Sequence, residues 1–270
     1  MNGKDAMKFQ YTKAIVSGIP SSLPDAAQRR NASLGTVDFR NALRQHAKYV
    51  AALKSLGLQI IELPADEDCP DCVFVEDTAV VCDGVALVTR LGHSSRRGES
   101  IRIKKALVDA GLSVLEMEEP AALDGGDVLF TGKEFLVGLS ERTNQQGLDA
   151  VTKAFPNYPV TGITVEDQLH LKCMMTMAAP DTIVVGGSDS AEAAWNEVQK
   201  KAKFKYEKFV VLEDKAANCV FVNDALLHLS ATEIPGSYDT FKQLPGQKIE
   251  LENSELHKVD GSLSCLSILI

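Results

Sequence analysis

The chain is short of positive charge and of long apolar runs, and each shortage excludes a class of function. Its 270 residues carry 28 lysines and arginines against 37 acidic residues, a formal net charge of −9. Nucleic-acid binders display a basic stripe or patch, and none is visible, so a nucleic-acid partner is excluded. An acidic surface instead attracts small cations. No run of about 18 apolar residues occurs, which removes a membrane-spanning helix and a membrane partner. The opening segment, MNGKDAMKFQYTKAIV, places charges where a secretion signal needs an apolar centre. A cytoplasmic location is therefore expected, and in a reducing compartment the six cysteines read as thiols rather than three bridges.

Also missing is any low-complexity linker or break in composition. The length suits one sizeable core, so a single domain over residues 1–270 is expected. Cys69 and Cys72 form a CxxC, but no second pair follows at zinc-site spacing. The Pro70-Asp71 between them marks a loop rather than a helix start, so no metal or redox role is assigned to the pair.

What is present is a repeat. EDTAVVCDGVALVTR from Glu76, GGDVLFTGKEFLVGLSERTN from Gly125 and AANCVFVNDALLHLS from Ala216 share one outline. A polar start leads into an apolar strand, a tight turn, a second apolar strand and a polar exit. LKCMMTMAAPDTIVVGGSDS from Leu171 follows it, and SLSCLSILI begins a further copy at the C-terminus. The first strands recur at about 46–50 residues, a period that signals a propeller or array. Between hairpins, RRGESIRIKKALVDAGL, TNQQGLDAVTKAF and SAEAAWNEVQKKA carry helical spacing. A unit of two strands, a helix and a third strand thus repeats about five times.

The strand in TKAIVSGIP near the N-terminus has no hairpin partner, and the C-terminal copy, read as a strand over Leu263–Ile270, lacks its second half. Joining the two ends removes two exposed sheet edges. The expected fold is a fivefold pseudo-symmetric α/β propeller of ββαβ units around a central channel.

Such a ring gathers the polar residues at the strand starts around one cavity. The first unit supplies Asp71, Glu76 and Asp77 from PDCVFVED, and the second Asp124 and Asp127 from LDGGD. His170 comes from QLHLK and Cys265 from the last segment, while Arg96 and Arg142 follow second strands. Taken singly, Cys265 reads as a small core hydrophobe, His170 as packing, and the arginines as surface charges. Carboxylates converging near a cysteine and a histidine instead call for a cation to neutralise them.

PDCVFVED, SRR, LDGGDVLFTG, VGLSERTNQ, LHLK and KVDGSLSC, in this order and spacing, resemble the dimethylarginine dimethylaminohydrolases of the animal type. The resemblance covers nearly the whole chain. That family belongs to the guanidino-group-modifying enzymes of the pentein superfamily, whose fivefold propeller agrees with the repeat. It implies hydrolysis of N-ω-methylated arginines to citrulline and a methylamine, with a small-molecule substrate and no cofactor. For animals it implies a part in nitric oxide regulation. A monomer or weak homodimer is expected.

By the same resemblance Cys265 is the nucleophile that attacks the guanidinium carbon. A free thiol is only about 3% thiolate at pH 7, so the bound guanidinium or His170 must stabilise the anion. His170 is the acid and then the base, and Asp124 orients it. Asp77 with Glu76 faces the guanidinium, Asp71 takes the α-ammonium, and Arg96 and Arg142 hold the α-carboxylate. The backbone of Val259 adds a contact. No metal is required, although Cys265 and His170 together suit inhibitory zinc.

SSLPDAAQRR matches the family's flap over the substrate, with Gln28 where the vertebrate enzyme has leucine. A backbone contact there tolerates the change, whereas a packing contact alters closure. Asp124 stands where bacterial relatives have the longer glutamate. The rival readings are an arginine deiminase-like or amidinotransferase-like enzyme and a non-catalytic binding propeller.

Overall fold

The computed structural model describes residues 7–270; the start of the charged opening segment lies outside the described residues. Five three-stranded sheets stand around a central channel. Their strands are β15-β1-β2 (Ile268–Leu269, Lys13–Ser17, Gln59–Leu63), β3-β4-β5 (Ala79–Cys82, Val85–Val88, Ser113–Glu116) and β6-β7-β8 (Val128–Phe130, Phe135–Leu139, Val160–Thr164). The other two are β9-β10-β11 (Met175–Ala179, Thr182–Val185, Glu207–Val210) and β12-β13-β14 (Val220–Val222, Ala225–Leu229, Gln247–Leu251). In every sheet the central strand pairs antiparallel with the first strand and parallel with the third. This is the fivefold α/β propeller.

Two of the hairpins show why the strands reverse where they do. Asp83 and Gly84 hold φ of 48° and 77°, and Asn223 and Asp224 hold 49° and 62°. These are the left-handed values that a tight two-residue hairpin needs, and they fall on residue types that tolerate them. Ring closure follows the expected route. β1 pairs with β15 through Ala14 and Leu269 and with β2 through Lys13 to Ser17, so the chain's two ends build one blade.

Helices Phe39–Ser55, Glu99–Asp109, Gln145–Ala154 and Asp189–Lys201 make the crossovers of four blades. Ser188 and Asn144 cap two of them by accepting from Ala191 and Gly147 backbone N–H. The fourth blade departs from the expected unit. Between β13 and β14 the link is a 3-10 segment, Tyr238–Gln243, rather than an α-helix. Pro235-Gly236 and Pro245-Gly246 bracket it and leave no room for helical turns.

The core lies between blades and under the crossovers. Ala42, Tyr49, Val50 and Leu53 are the buried face of helix Phe39–Ser55, and the Tyr49 hydroxyl lies 2.8 Å from Ser267 Oγ beside β15. The inner strands β3, β6, β9, β12 and β15 line the channel with Ala79, Val128, Thr176, Val220 and Ile268.

Candidate active site

Each inner strand is reached through one short helical turn, and these turns carry the chemistry. They are Val75–Thr78, Gly125–Asp127, Leu171–Cys173, Asp214–Ala217 and Ser264–Leu266. Asp124 and His170 precede the second and third turns as their cap residues. Cys265 therefore sits in a 3-10 turn, and the strand expected over Leu263–Ile270 shortens to Ile268–Leu269. A turn aims its middle residue at the channel, which a continuous strand would not do.

One cavity is lined by Gln28, Asp71, Asp77, Arg96, Asp124, Arg142, His170, Val259 and Cys265, together with Arg29, Arg30, Phe74, Leu169 and Asp260. Nine of the ten residues expected at the site thus meet in one place. The tenth, Glu76, lines a different cavity, the one formed along the inner strands. Its carboxylate accepts from Lys172 Nζ at 2.5 Å and Ser264 Oγ at 2.7 Å. Glu76 is thus held beside the Cys265 turn through Ser264, while its neighbour Asp77 lines the cavity itself.

His170 Nε2 lies 2.9 Å from Asp124 Oδ2, with the two residues 3% and 1% exposed. Asp124 Oδ1 also accepts from Gly92 N at 2.9 Å, which fixes the carboxylate. Burial on its own would lower the imidazole's pKa. Asp77, Asp124, Cys173 and Asp127 outweigh it and hold the pKa well above its ordinary value. Cys265, 8% exposed, shifts upward as well. Burial raises its pKa first, and the nearby Glu76, Asp77 and Cys173 add to the rise, so the resting sulfur is a neutral thiol.

Asp77 is held from two sides. Its Oδ2 accepts from Arg96 Nη1 at 2.7 Å and its Oδ1 from Gly126 N at 3.0 Å. Burial pushes its pKa upward, but His170 and Arg96 bring it below the usual carboxylate range. The Gly125-Gly126 pair is needed for this approach. A Cβ on Gly126 would stand 2.5 Å from His170 Nδ1 and 2.9 Å from Asp77 Oδ1, and one on Gly125 would stand 2.0 Å from the Glu76 carbonyl.

Arg96 departs from its expected role. It donates to Asp77, to the Phe74 carbonyl and twice to Glu99, at 2.7 to 3.1 Å. Four protein contacts leave its fork little to offer a ligand carboxylate. It lines the cavity and, as a buried cation, neutralises and holds Asp77. Arg142 is less committed: Nη2 donates to Gln28 Oε1 at 2.9 Å, and Nη1 lies 4.0 Å from Asp124 Oδ2. Asp71 accepts from Gln28 N at 3.1 Å, and burial raises its pKa. Asp127 does not line the cavity; it binds Ser140, Thr143 and Leu171 N, and burial raises its pKa to about 6.

Several residues escaped sequence reasoning. Glu99 anchors Arg96, and burial lifts its pKa to about 7. Asn218 holds the nucleophile turn by accepting from Ser264 N at 2.9 Å and donating to Ser264 Oγ at 3.0 Å. It follows the fourth blade's turn, so aligning the repeats would have found it. The CxxC forms a turn, with Cys72 N donating to Cys69 O, and burial raises both thiols, Cys69 to about 11. Among the described residues the donors best placed for a cation are Asp77, Asp124 and His170, all within 4.8 Å of one another; Cys265 is not in that group.

The comparisons with known proteins agree with this geometry. The chain matches the family described as N,N dimethylarginine dimethylhydrolase, eukaryotic, over residues 21–226. It is 35% identical to the human protein named Putative hydrolase DDAH2, over 95% of this chain and 93% of that one. It is 30% identical to the N(G),N(G)-dimethylarginine dimethylaminohydrolase of Pseudomonas aeruginosa, over 95% of each. A solved structure of the Pseudomonas aeruginosa enzyme, a cysteine-to-serine mutant complexed with citrulline, superposes with a TM-score of 0.88 at 28% identity. It covers 97% of this chain and 100% of that one. The N-terminal domain of the arginine dihydrolase ArgZ, at 17% identity and a TM-score of 0.81, shares the fold. The chain belongs to the eukaryotic N,N dimethylarginine dimethylhydrolase family.

Proposed function

We propose that this chain hydrolyses N-ω-methylated arginine, asymmetric dimethylarginine or monomethylarginine, to citrulline and dimethylamine or methylamine. The observation that carries the reading is the buried Asp124–His170 pair facing one cavity with Cys265. Family membership supplies the substrate class, and the partner the reading requires is a small amino acid.

The guanidinium enters a cavity holding Asp77 and Asp71 as carboxylates. Its positive charge supports ionisation of the Cys265 thiol, which the resting site suppresses. The thiol proton passes to solvent, and the thiolate adds to the central guanidinium carbon. The imidazolium of His170 gives its proton to the departing dimethylamine nitrogen, the C–N bond breaks, and a thiouronium remains on sulfur. Neutral His170 then takes a proton from water as the oxygen attacks that carbon. The C–S bond breaks, the hydroxyl proton passes to the leaving sulfur, and citrulline departs from the restored Cys265 thiol. Asp124 keeps the imidazole oriented and stabilises its charged form. In this reading Asp71 takes the α-ammonium and Arg142 the α-carboxylate, with the Val259 backbone beside them. The six free cysteines suit a reducing cytoplasm.

The test is incubation with asymmetric dimethylarginine, quantifying citrulline and dimethylamine. Equal amounts of the two support the reading. Ammonia in place of dimethylamine would move the activity to a deiminase.

A further inference from the structure

The flap residue Gln28 touches both residues assigned to the amino-acid end of the substrate. Its backbone N–H donates to Asp71 Oδ1 at 3.1 Å, and its side-chain Oε1 accepts from Arg142 Nη2 at 2.9 Å. On the far side its Nε2 lies 2.5 Å from His93 Nδ1 and 3.0 Å from Ser95 Oγ. Two residues further on, Arg30 N donates to Asp260 Oδ2 at 2.5 Å, which ties the same segment to the loop beside Val259.

An N–H on a carboxylate and a carbonyl oxygen on an arginine fork are the pairings of an α-ammonium and an α-carboxylate, with smaller charges. We propose that Gln28 is an internal occupant of that subsite, and that its carboxamide competes with the ligand's carboxylate for Arg142. The inference rests on the proposed function for the identity of the ligand. The contacts with His93 and Ser95 hold the carboxamide in place when no ligand is present. A carboxylate forms a stronger, charge-assisted and bidentate bond to a guanidinium than a neutral carboxamide does. A ligand with a full amino-acid end therefore displaces Gln28 from Arg142. A guanidine without that end leaves the contact intact. Gln28 in this way sets the affinity of the subsite: it lowers binding of a ligand with an amino-acid end, which must displace it, and leaves a ligand without that end untouched. Leucine, which the vertebrate enzyme carries at this position, has no oxygen to place on Arg142.

The test measures citrulline binding to the full chain by calorimetry, beside amide hydrogen exchange of residues 23–30 without ligand. Gln28→Leu removes the competitor, so citrulline should bind about three- to tenfold more tightly, while methylguanidine binding stays unchanged. Gln28→Glu strengthens the internal pair and should weaken citrulline by at least as much. Exchange in the flap should quicken in Arg142→Ala and more in Gln28→Leu, which also loses His93 and Ser95, and the double variant should exchange no faster than Gln28→Leu. Weaker citrulline binding in Gln28→Leu would overturn the inference, because Gln28 would then be gripping the ligand. Unchanged exchange would overturn it as well. If the exchange behaves as expected but citrulline fails to bind the wild-type chain, the substrate reading falls and the internal contact stands.

Discussion

Asp124 and His170 lie 46 residues apart in the chain and 2.9 Å apart in space. That separation is the length of one propeller blade. The same step relates Asn218 to Ser264, the residue before Cys265. The site is thus assembled by repetition: each blade presents one short turn to the channel, with Asp124 and His170 capping two of the turns and Cys265 within another.

The two arginines separate by substrate. Arg142→Ala should weaken methylarginine binding by at least tenfold, since a carboxylate loses a charge-assisted partner. Methylguanidine, lacking that carboxylate, should be nearly indifferent. Arg96→Ala should harm both substrates alike, because it strips Asp77 and Glu99 of their buried cation, and it should lower Tm, a buried pair broken on one side costing about 3–5 kcal/mol. Steady-state kinetics with the two substrates decides; equal losses in Arg142→Ala would make that residue structural.

Gly126→Ala tests the close approach at the catalytic pair. The added methyl would press on His170 and Asp77, and a displacement of about 1 Å there can cost about 100-fold in rate. The fold should survive, with circular dichroism unchanged. Gly125→Ala should instead reduce soluble yield, since its methyl meets backbone. Full activity in Gly126→Ala would contradict the geometry.

Much of this was legible in the chain. The hairpins announced themselves because apolar pairs of strands flank residues that accept left-handed φ, as at Asp83-Gly84. The unpaired ends required closure, and β1 and β15 provide it. The turns were not legible, because three residues have no periodicity to read; Cys265 was accordingly placed in a strand. Nor can adjacency say that Glu76 and Asp77 line different cavities. Arg96 and Glu99 stood three apart on the page, but that spacing describes a surface pair as well as a buried one. The missing helix of the fourth blade was written in Pro235-Gly236 and Pro245-Gly246, and the expectation of symmetry hid it.

The thiol should titrate high. Cys265 has its pKa raised well above the ordinary thiol value, and His170 has its own raised. In the ligand-free chain the thiolate absorbance lost in Cys265→Ser should therefore appear only at alkaline pH, above 9. Turnover should climb with pH as thiolate becomes available, then fall as His170 loses the proton it must deliver. A midpoint below about 8.5 would contradict this. Cys69→Ser and Cys72→Ser, outside the cavity, should leave the profile unchanged.

Turnover should persist in strong chelator, since no step of the mechanism is assigned to a metal. Added zinc should inhibit through His170 and its carboxylate neighbours, whose donor atoms lie within 4.8 Å, and chelator should reverse it. Activity lost in chelator and restored by zinc would sink the side-chain mechanism.

The central claim, a covalent route through Cys265, is tested most directly by acid-quenching the chain during turnover of asymmetric dimethylarginine and weighing its peptides. The account predicts that the peptide bearing Cys265 gains the mass of the substrate less dimethylamine, and that Cys265→Ser shows no adduct and under about 1% of wild-type citrulline release. Turnover with Cys265 unmodified and Cys265→Ser still active, or the adduct on the neighbouring Cys173, would contradict it.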